Sequence, residues 1–343
     1  MKKILFLFLI IVLSISLFIS SCGEPEPETF QLKMAHSFPP PSGLGMALEN
    51  WAKGIGEKTD GRVEITVYGG GSLVKSAEWF DAAVTGVVDI SYGHPSEDLS
   101  HGALETGFGL PGITWPEEWP IVETRIKVQN EIRDMYPIID EAHGGAVLLF
   151  DIIMPPYVLQ STKLIRVPAD MEGTKVAATG FYATVADILK AVPVTMAAPD
   201  RYMGLDRGTI AASWDIWGGI FAMKHYEVSD YYLDGPEFGS GMAQLVMNRA
   251  KFESLPKDIQ KIFLEEKVIL EFPKNAFYGE IALAKGAIAE RNGEIIVPTQ
   301  DEMALWDTAL KRTQDAWVEQ MTDRGLPAQE FLDDLLSLIK KYS

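Results

Sequence analysis

The 343-residue chain has one cysteine, Cys22, so no disulfide can form within it and its core must hold it together. Basic residues are scarce. Thirty stand against 48 acidic ones, a formal charge of −18 that disfavours nucleic acid and anionic membrane surfaces as partners. Only five histidines occur (His36, His94, His101, His143, His225), with no His-x-His or His-Glu-x-x-His spacing to hold zinc. No serine sits in a Gly-x-Ser-x-Gly elbow, and Gly69-Gly70-Gly71-Ser72 lacks the Lys-Ser/Thr of a phosphate loop, so its glycines read as a turn. Enzyme chemistry is therefore thin. The residues point to a binding protein with no catalytic residues, no resident metal and no cofactor.

What is present begins with an export signature. Lys2 and Lys3 precede the apolar run Ile4–Ile19, broken only by Ser14 and Ser16. That run is short for a bilayer span, which needs about 20 residues. Ser20 and Ser21 then lead into Cys22, and Ile19-Ser20-Ser21-Cys22 reads as a lipobox whose cysteine is acylated, as with palmitate. A transmembrane anchor with an incidental cysteine is the competing reading. Residues 1–21 thus form a lipoprotein signal peptide, and their removal leaves 28 basic against 48 acidic residues, a charge of −20. Residues 22–29, Cys-Gly-Glu-Pro-Glu-Pro-Glu-Thr, form a charged, proline-rich tether. The expected location is exported, periplasmic or cell-surface, anchored through Cys22.

Beyond the tether, Phe30–Ala35 alternates as a strand and Leu44–Glu57 carries apolar residues at helical spacing. Arg62–Tyr68 reads as a strand, Ser76–Thr85 as a helix and Val87–Tyr92 as a strand. That alternation predicts parallel pairing with helical crossovers, hence an α/β sheet. Residues 107–120 form a loop, Ile121–Ile139 a helix and Gly145–Ile153 a buried strand. Lys175–Ala178, Val192–Met196, Thr209–Ser213, Gln244–Asn248 and Ile295–Val297 are further strands. Leu255–Arg291 is helical with a break at Pro273, and Asp301 to the end is helix. Trp214-Asp215-Ile216-Trp217 follows a short strand, where α/β sheets bind ligands. Trp214 and Trp217 could equally be core residues at i, i+3 spacing, whereas Asp215 between them must be exposed or have a partner.

Several segments together form a pattern. Met34-Ala35-His36-Ser37 is followed by Glu57-Lys58-Thr59-Asp60-Gly61-Arg62-Val63, by Gly71-Ser72-Leu73 and by Gly86-Val87-Val88-Asp89-Ile90. Later come Met171-Glu172-Gly173-Thr174-Lys175-Val176, Val192-Pro193-Val194-Thr195-Met196, Leu245-Val246-Met247-Asn248 and Leu255-Pro256-Lys257-Asp258. In order and spacing, from about residue 31 to the C-terminus, this resembles the DctP-type solute-binding proteins of tripartite ATP-independent periplasmic (TRAP) transporters. The resemblance implies an α/β, two-lobed periplasmic-binding-protein-like fold with interleaved lobes and a long spanning helix. Lobe I would comprise 30–153 and 243–282, and lobe II 154–242 and 283–343. The lobes would close over a small solute and deliver it to TRAP permease membrane subunits, without catalysis.

Carried over by position, the family's ligand contacts fall at His36, Tyr92, His94, Tyr157, Ala177, Phe181 and Asp215, with Trp214 and Trp217 as aromatic walls. The family's Gly-x-Lys-x-Arg, whose arginine clamps a substrate carboxylate, reads here Gly173-Thr174-Lys175-Val176-Ala177. A second arginine position of some members is Tyr157, and a frequent asparagine is Asp215. A cleft with an acid and aromatics but no cation fits a neutral or cationic solute better than a simple carboxylate. Alternatively Arg166, Arg201, Arg207 or a metal ion bridged by Asp215 supplies the positive charge for an organic acid. Two other functions compete: a sensory receptor presenting its ligand to a membrane signalling partner, and a lipid-anchored hydrolase.

Overall fold

The computed structural model describes residues 28–38, 42–95, 99, 101–116, 123–265 and 280–343; the export segment, Cys22 and Pro273 lie outside them. Two sheets carry the architecture. The first holds β1 (Phe30–Ala35), β2 (Val63–Tyr68), β3 (Ile90–Gly93), β4 (Ala146–Pro156) and β10 (Ser240–Asn248), in the order β2-β1-β3-β10-β4. β1 pairs in parallel with β2 and β3, as alternation with helices requires. β10 is antiparallel to both β3 and β4, which makes the sheet mixed. Its position between two partners explains why Ser240–Asn248 is buried almost throughout.

The second sheet holds β5 (Val158–Ser161), β6 (Lys175–Ala177), β7 (Val192–Val194), β8 (Ala212–Asp215), β9 (Tyr231–Leu233) and β11 (Glu294–Ile296), in the order β11-β9-β5-β8-β6-β7. β6 runs parallel to β7 and β8, so the carboxyl ends of these three strands share one edge. Two of the six strands are unanticipated. β5 follows directly on Pro155-Pro156, and β9 is too short to show a period. β8 starts three residues later than expected, because Gly208 (φ 68°) closes the preceding helix and Ile210 bonds back to Gly204. The shift brings Trp214 and Asp215 into the strand's end. The stretch from Asp301 onward is two helices, Gln300–Asp323 and Ala328–Tyr342, divided at Gly325 (φ 80°) and Pro327.

Two features join the sheets. β4 runs straight on into β5 with only Tyr157 between them, and the Tyr157 N–H donates to Gly239 O (2.9 Å) on the returning chain. The helix Gln300–Asp323, roughly 36 Å long at 1.5 Å per residue, bridges the rest. A capping box of Thr299 and Glu302 starts it, and the Glu302 carboxylate also takes a bidentate bond from Arg166. Trp306 Nε1 donates to Arg166 O on the second-sheet side. Toward the first sheet, Gln314 Nε2 donates to Pro111 O and Trp317 Nε1 to Thr106 Oγ1. A buried polar knot fixes that end: Arg133 donates to Glu105 (2.6 Å) and Asp151 (2.7 Å), and Gln244 donates to the same Glu105 oxygen.

Trp317 is wholly buried against Phe331 (5.8 Å between rings) and the Cβ-less face of Gly107. Trp317→Ala empties that joint and removes the bond to Thr106 Oγ1. It is expected to lower the unfolding free energy by about 3–5 kcal/mol, read by urea denaturation.

Candidate binding cleft

Between the sheets lies a cleft with a cavity of about 130 Å³. That is close to the roughly 150 Å³ of an engineered apolar cavity that accepts benzene. The first sheet contributes the ends of β1 and β3: Ser37 and Phe38 after β1, His94 after β3. His94 Nδ1 lies 3.0 Å from Met242 O, an acceptor only, so Nδ1 carries the proton. The crossing strand supplies Met154 and Tyr157. The second sheet supplies the shared edge of β6, β7 and β8, with Ala177 ending β6, Arg201 beginning the helix after β7, and Trp214 and Asp215 ending β8. Ligand sites form outside the carboxyl ends of such strands.

Five of the nine positions carried over from sequence line this cleft: His94, Tyr157, Ala177, Trp214 and Asp215. The other four stand behind it. His36 is buried, and neither ring nitrogen has a hydrogen-bond partner among the described residues. Tyr92 is buried and packs edge-on against Phe38 (5.7 Å) and His94 (5.9 Å), so it backs two lining rings. Phe181 points into the core, and its neighbour Tyr182 lines the cleft instead, edge-on to Tyr157 (5.3 Å) and tilted against Trp214 (5.6 Å). Trp217 packs on Tyr232, with the Lys285 ammonium 4.9 Å above its ring. One residue of helical phase separates Phe181 from Tyr182, and strand-end alignment could not resolve it.

The charge reading needs correction. Asp215 is no lone acid among aromatics: its Oδ2 lies 3.4 Å from Arg201 Nη1 and 3.5 Å from His225 Nδ1, and its Oδ1 accepts from Ile216 N (2.9 Å). Burial pushes its carboxyl up, but His225 and Arg201 outweigh burial and hold it below the usual carboxylate range. The cleft has not lost its cation either. Arg201 stands there, its Nη1 also donating to Trp214 O (3.0 Å), while Arg166 is committed to Glu302 and Arg207 is exposed. Arg201 Nε and Trp214 Nε1 are buried donors with no acceptor among the described residues. Among the described residues there is no group of three or more His, Cys, Asp or Glu side chains that could hold a metal ion.

DctP, the bacterial extracellular solute-binding protein family 7, matches residues 34–97 and 158–320. The chain belongs to this family. This DctP-family receptor is 24% identical over 320 residues to a monocarboxylate 2-oxoacid-binding periplasmic protein of a Nostoc species, a match covering 83% of this chain and 82% of the relative. It shares its fold with a TRAP solute-binding protein of Rhodoferax ferrireducens in complex with copurified benzoate (TM-score 0.82, 22% identity, 92% of this chain and 98% of that one). A marine metagenome TRAP protein with 3-hydroxybenzoate has the same fold (TM-score 0.81, 22% identity, 92% and 99%). In this DctP-family chain the arginine of the motif is absent at the end of β6, and a guanidinium instead reaches the same edge from beyond β7.

Burial lowers the His36 pKa from 6.5 to about 4, so the folded state keeps it neutral where the unfolded chain would charge it. Its contribution to stability is therefore full above pH 6.5 and is lost as the pH falls toward 4. The unfolding free energy of the wild type minus that of His36→Phe, measured from pH 8 to 4, should be level above pH 6.5 and fall steadily toward pH 4.

Proposed function

We propose that the protein captures a small organic acid with a flat, apolar body between its two lobes and delivers it to a TRAP permease, with Arg201 gripping the carboxylate in the role that Ala177 has vacated. The observation that carries this reading is the pair of orphan donors. An unpaired buried donor costs about 1–3 kcal/mol, more if charged, and a ligand carboxylate beside Arg201 Nε and Trp214 Nε1 removes that cost. Tyr157, Tyr182 and Trp214 offer aromatic surface to the remainder, in a cavity sized for one ring. The aromatic acids bound by proteins of the same fold agree with this chemistry. It is preferred to the expectation of a neutral or cationic cargo, which rested on a cleft with an acid and no cation.

The ligand-contacting set on this reading is Arg201, Trp214, Asp215, Tyr157, Tyr182 and His94, with Ala177 leaving room for the body. We extend it to the lobe boundaries 30–153 with 243–282 and 154–242 with 283–343, the helix Ala328–Tyr342 lying against lobe I through Glu123–Met135 and Leu104–Gly109. Closure follows because a ligand touching both lobes favours the shut state. Export, acylation at Cys22 and the absence of catalysis belong to the same reading. Among the described residues no helix is long and apolar enough to cross a membrane.

Arg201→Lys keeps the charge beside Asp215 but loses the planar fork. It should weaken binding of benzoate and 3-hydroxybenzoate by about 10- to 100-fold in isothermal titration, while leaving the unliganded melting temperature nearly unchanged. Unaltered affinity would assign the carboxylate to another donor.

A further inference from the structure

Glu280 also lines the cleft, and recognition of a simple acid makes no use of it. It opens the helix Glu280–Glu290, which packs on the helix Trp217–Ala222 beside the second sheet. Its Oε1 nevertheless accepts from Gly43 N (2.9 Å), at the start of the helix Gly43–Lys58 beside the first sheet. One carboxylate thus bridges the two sides of the cleft. Its Oε2 has no hydrogen-bond partner among the described residues and lies over Gly218, where a Cβ would collide with it. A Cβ at Gly219 would likewise collide with Asp215 Oδ1. Two consecutive glycines therefore let two carboxylates approach one wall of the cavity.

The charges do not balance for a simple acid. Among the described lining side chains the cation is Arg201, and the carboxylates are Asp215 and Glu280. Asp215 is already matched by Arg201. A ligand carboxylate on Arg201 would leave Glu280 facing a half-buried space without a counter-charge, and such a carboxylate is costly. Burial raises the Glu280 carboxyl above its usual range, against the pull of the Gly43 N–H. Ser37, Ser42, Ser76 and Thr179 are the neutral polar groups nearby, and none carries charge.

Resting on the acid reading above, we infer that the ligand is zwitterionic, an amino acid with a flat apolar body whose carboxylate meets Arg201 and whose ammonium meets Glu280 Oε2. The ammonium supplies the missing positive charge. Because the other oxygen of Glu280 holds Gly43, recognition of the amine is joined to the contact between the two sides of the cleft.

L-phenylalanine, 3-phenylpropanoate and 2-phenylethylamine share a ring and chain but differ in charge, and titration of the full soluble chain with each separates the contributions. Phenylalanine is expected to bind at least about tenfold more tightly than either analogue. In Glu280→Gln, which keeps an acceptor for Gly43 N, its advantage over 3-phenylpropanoate should vanish while the unliganded melting temperature holds. Equal affinity of phenylalanine and 3-phenylpropanoate for the wild type would overturn the zwitterion and leave the acid reading standing. An undiminished preference in Glu280→Gln would overturn the role of Glu280. Binding of the amine alone, or of none of the three, would overturn the acid reading and this inference with it.

Discussion

A guanidinium can stand in this cleft only because its neighbours hold it there. Arg201 Nη1 is shared between the Trp214 carbonyl and the Asp215 carboxylate, and Asp215 is in turn steadied by His225 and the Ile216 N–H. This arrangement fills one end of the arginine fork and leaves Nε unpartnered. Long charged side chains lose considerable rotamer freedom when fixed, and here the buried pair has borne that cost before a ligand arrives. Removing one member of such a pair strands the other, so Asp215 and Arg201 stand or fall together.

The sheet topology makes the relocation of the cation possible. β7, β6 and β8 are adjacent and parallel, so a residue beyond any of them reaches the same edge. Moving the positive charge from the end of β6 to the start of the helix after β7 shifts its tether by one strand spacing, about 4.8 Å. An arginine side chain is long enough to recover that distance. The space it vacated is taken by a methyl group, and Ala177 packs with Leu205 and Ile210 below the cavity floor. On the proposed reading the compensation is steric as well as electrostatic: a small residue where the clamp was, a long one beside it.

Much of the fold was legible in the chain because periodicity reports burial directly. Phe30–Ala35, the helix at Gly43–Lys58, and the alternation that dictates parallel β1, β2 and β3 all follow from spacing. β5 and β9 were illegible for opposite reasons, one masked by Pro155-Pro156 and the other only three residues long. At the site, sequence order located the strand ends and hence His94, Tyr157, Ala177, Trp214 and Asp215. It misjudged Phe181 for Tyr182, since which face of a helix meets the cleft depends on packing. It also raised Arg201 only as an alternative, because a motif read along one strand is blind to its spatial neighbour. Glu280 carried no signal at all, since its position in the cleft depends on a contact with Gly43, 237 residues away.

Charge, more than shape, constrains the cargo. The aromatic walls would accept many flat bodies, because dispersion and area burial are non-directional. Orphan donors and unmatched carboxylates are less tolerant, since each must find a partner of the opposite kind or remain a penalty in a space that excludes water. The cleft holds both kinds, donors on Arg201 and Trp214 and an acceptor on Glu280. A receptor so built rejects wrong ligands by leaving its own groups unpaired.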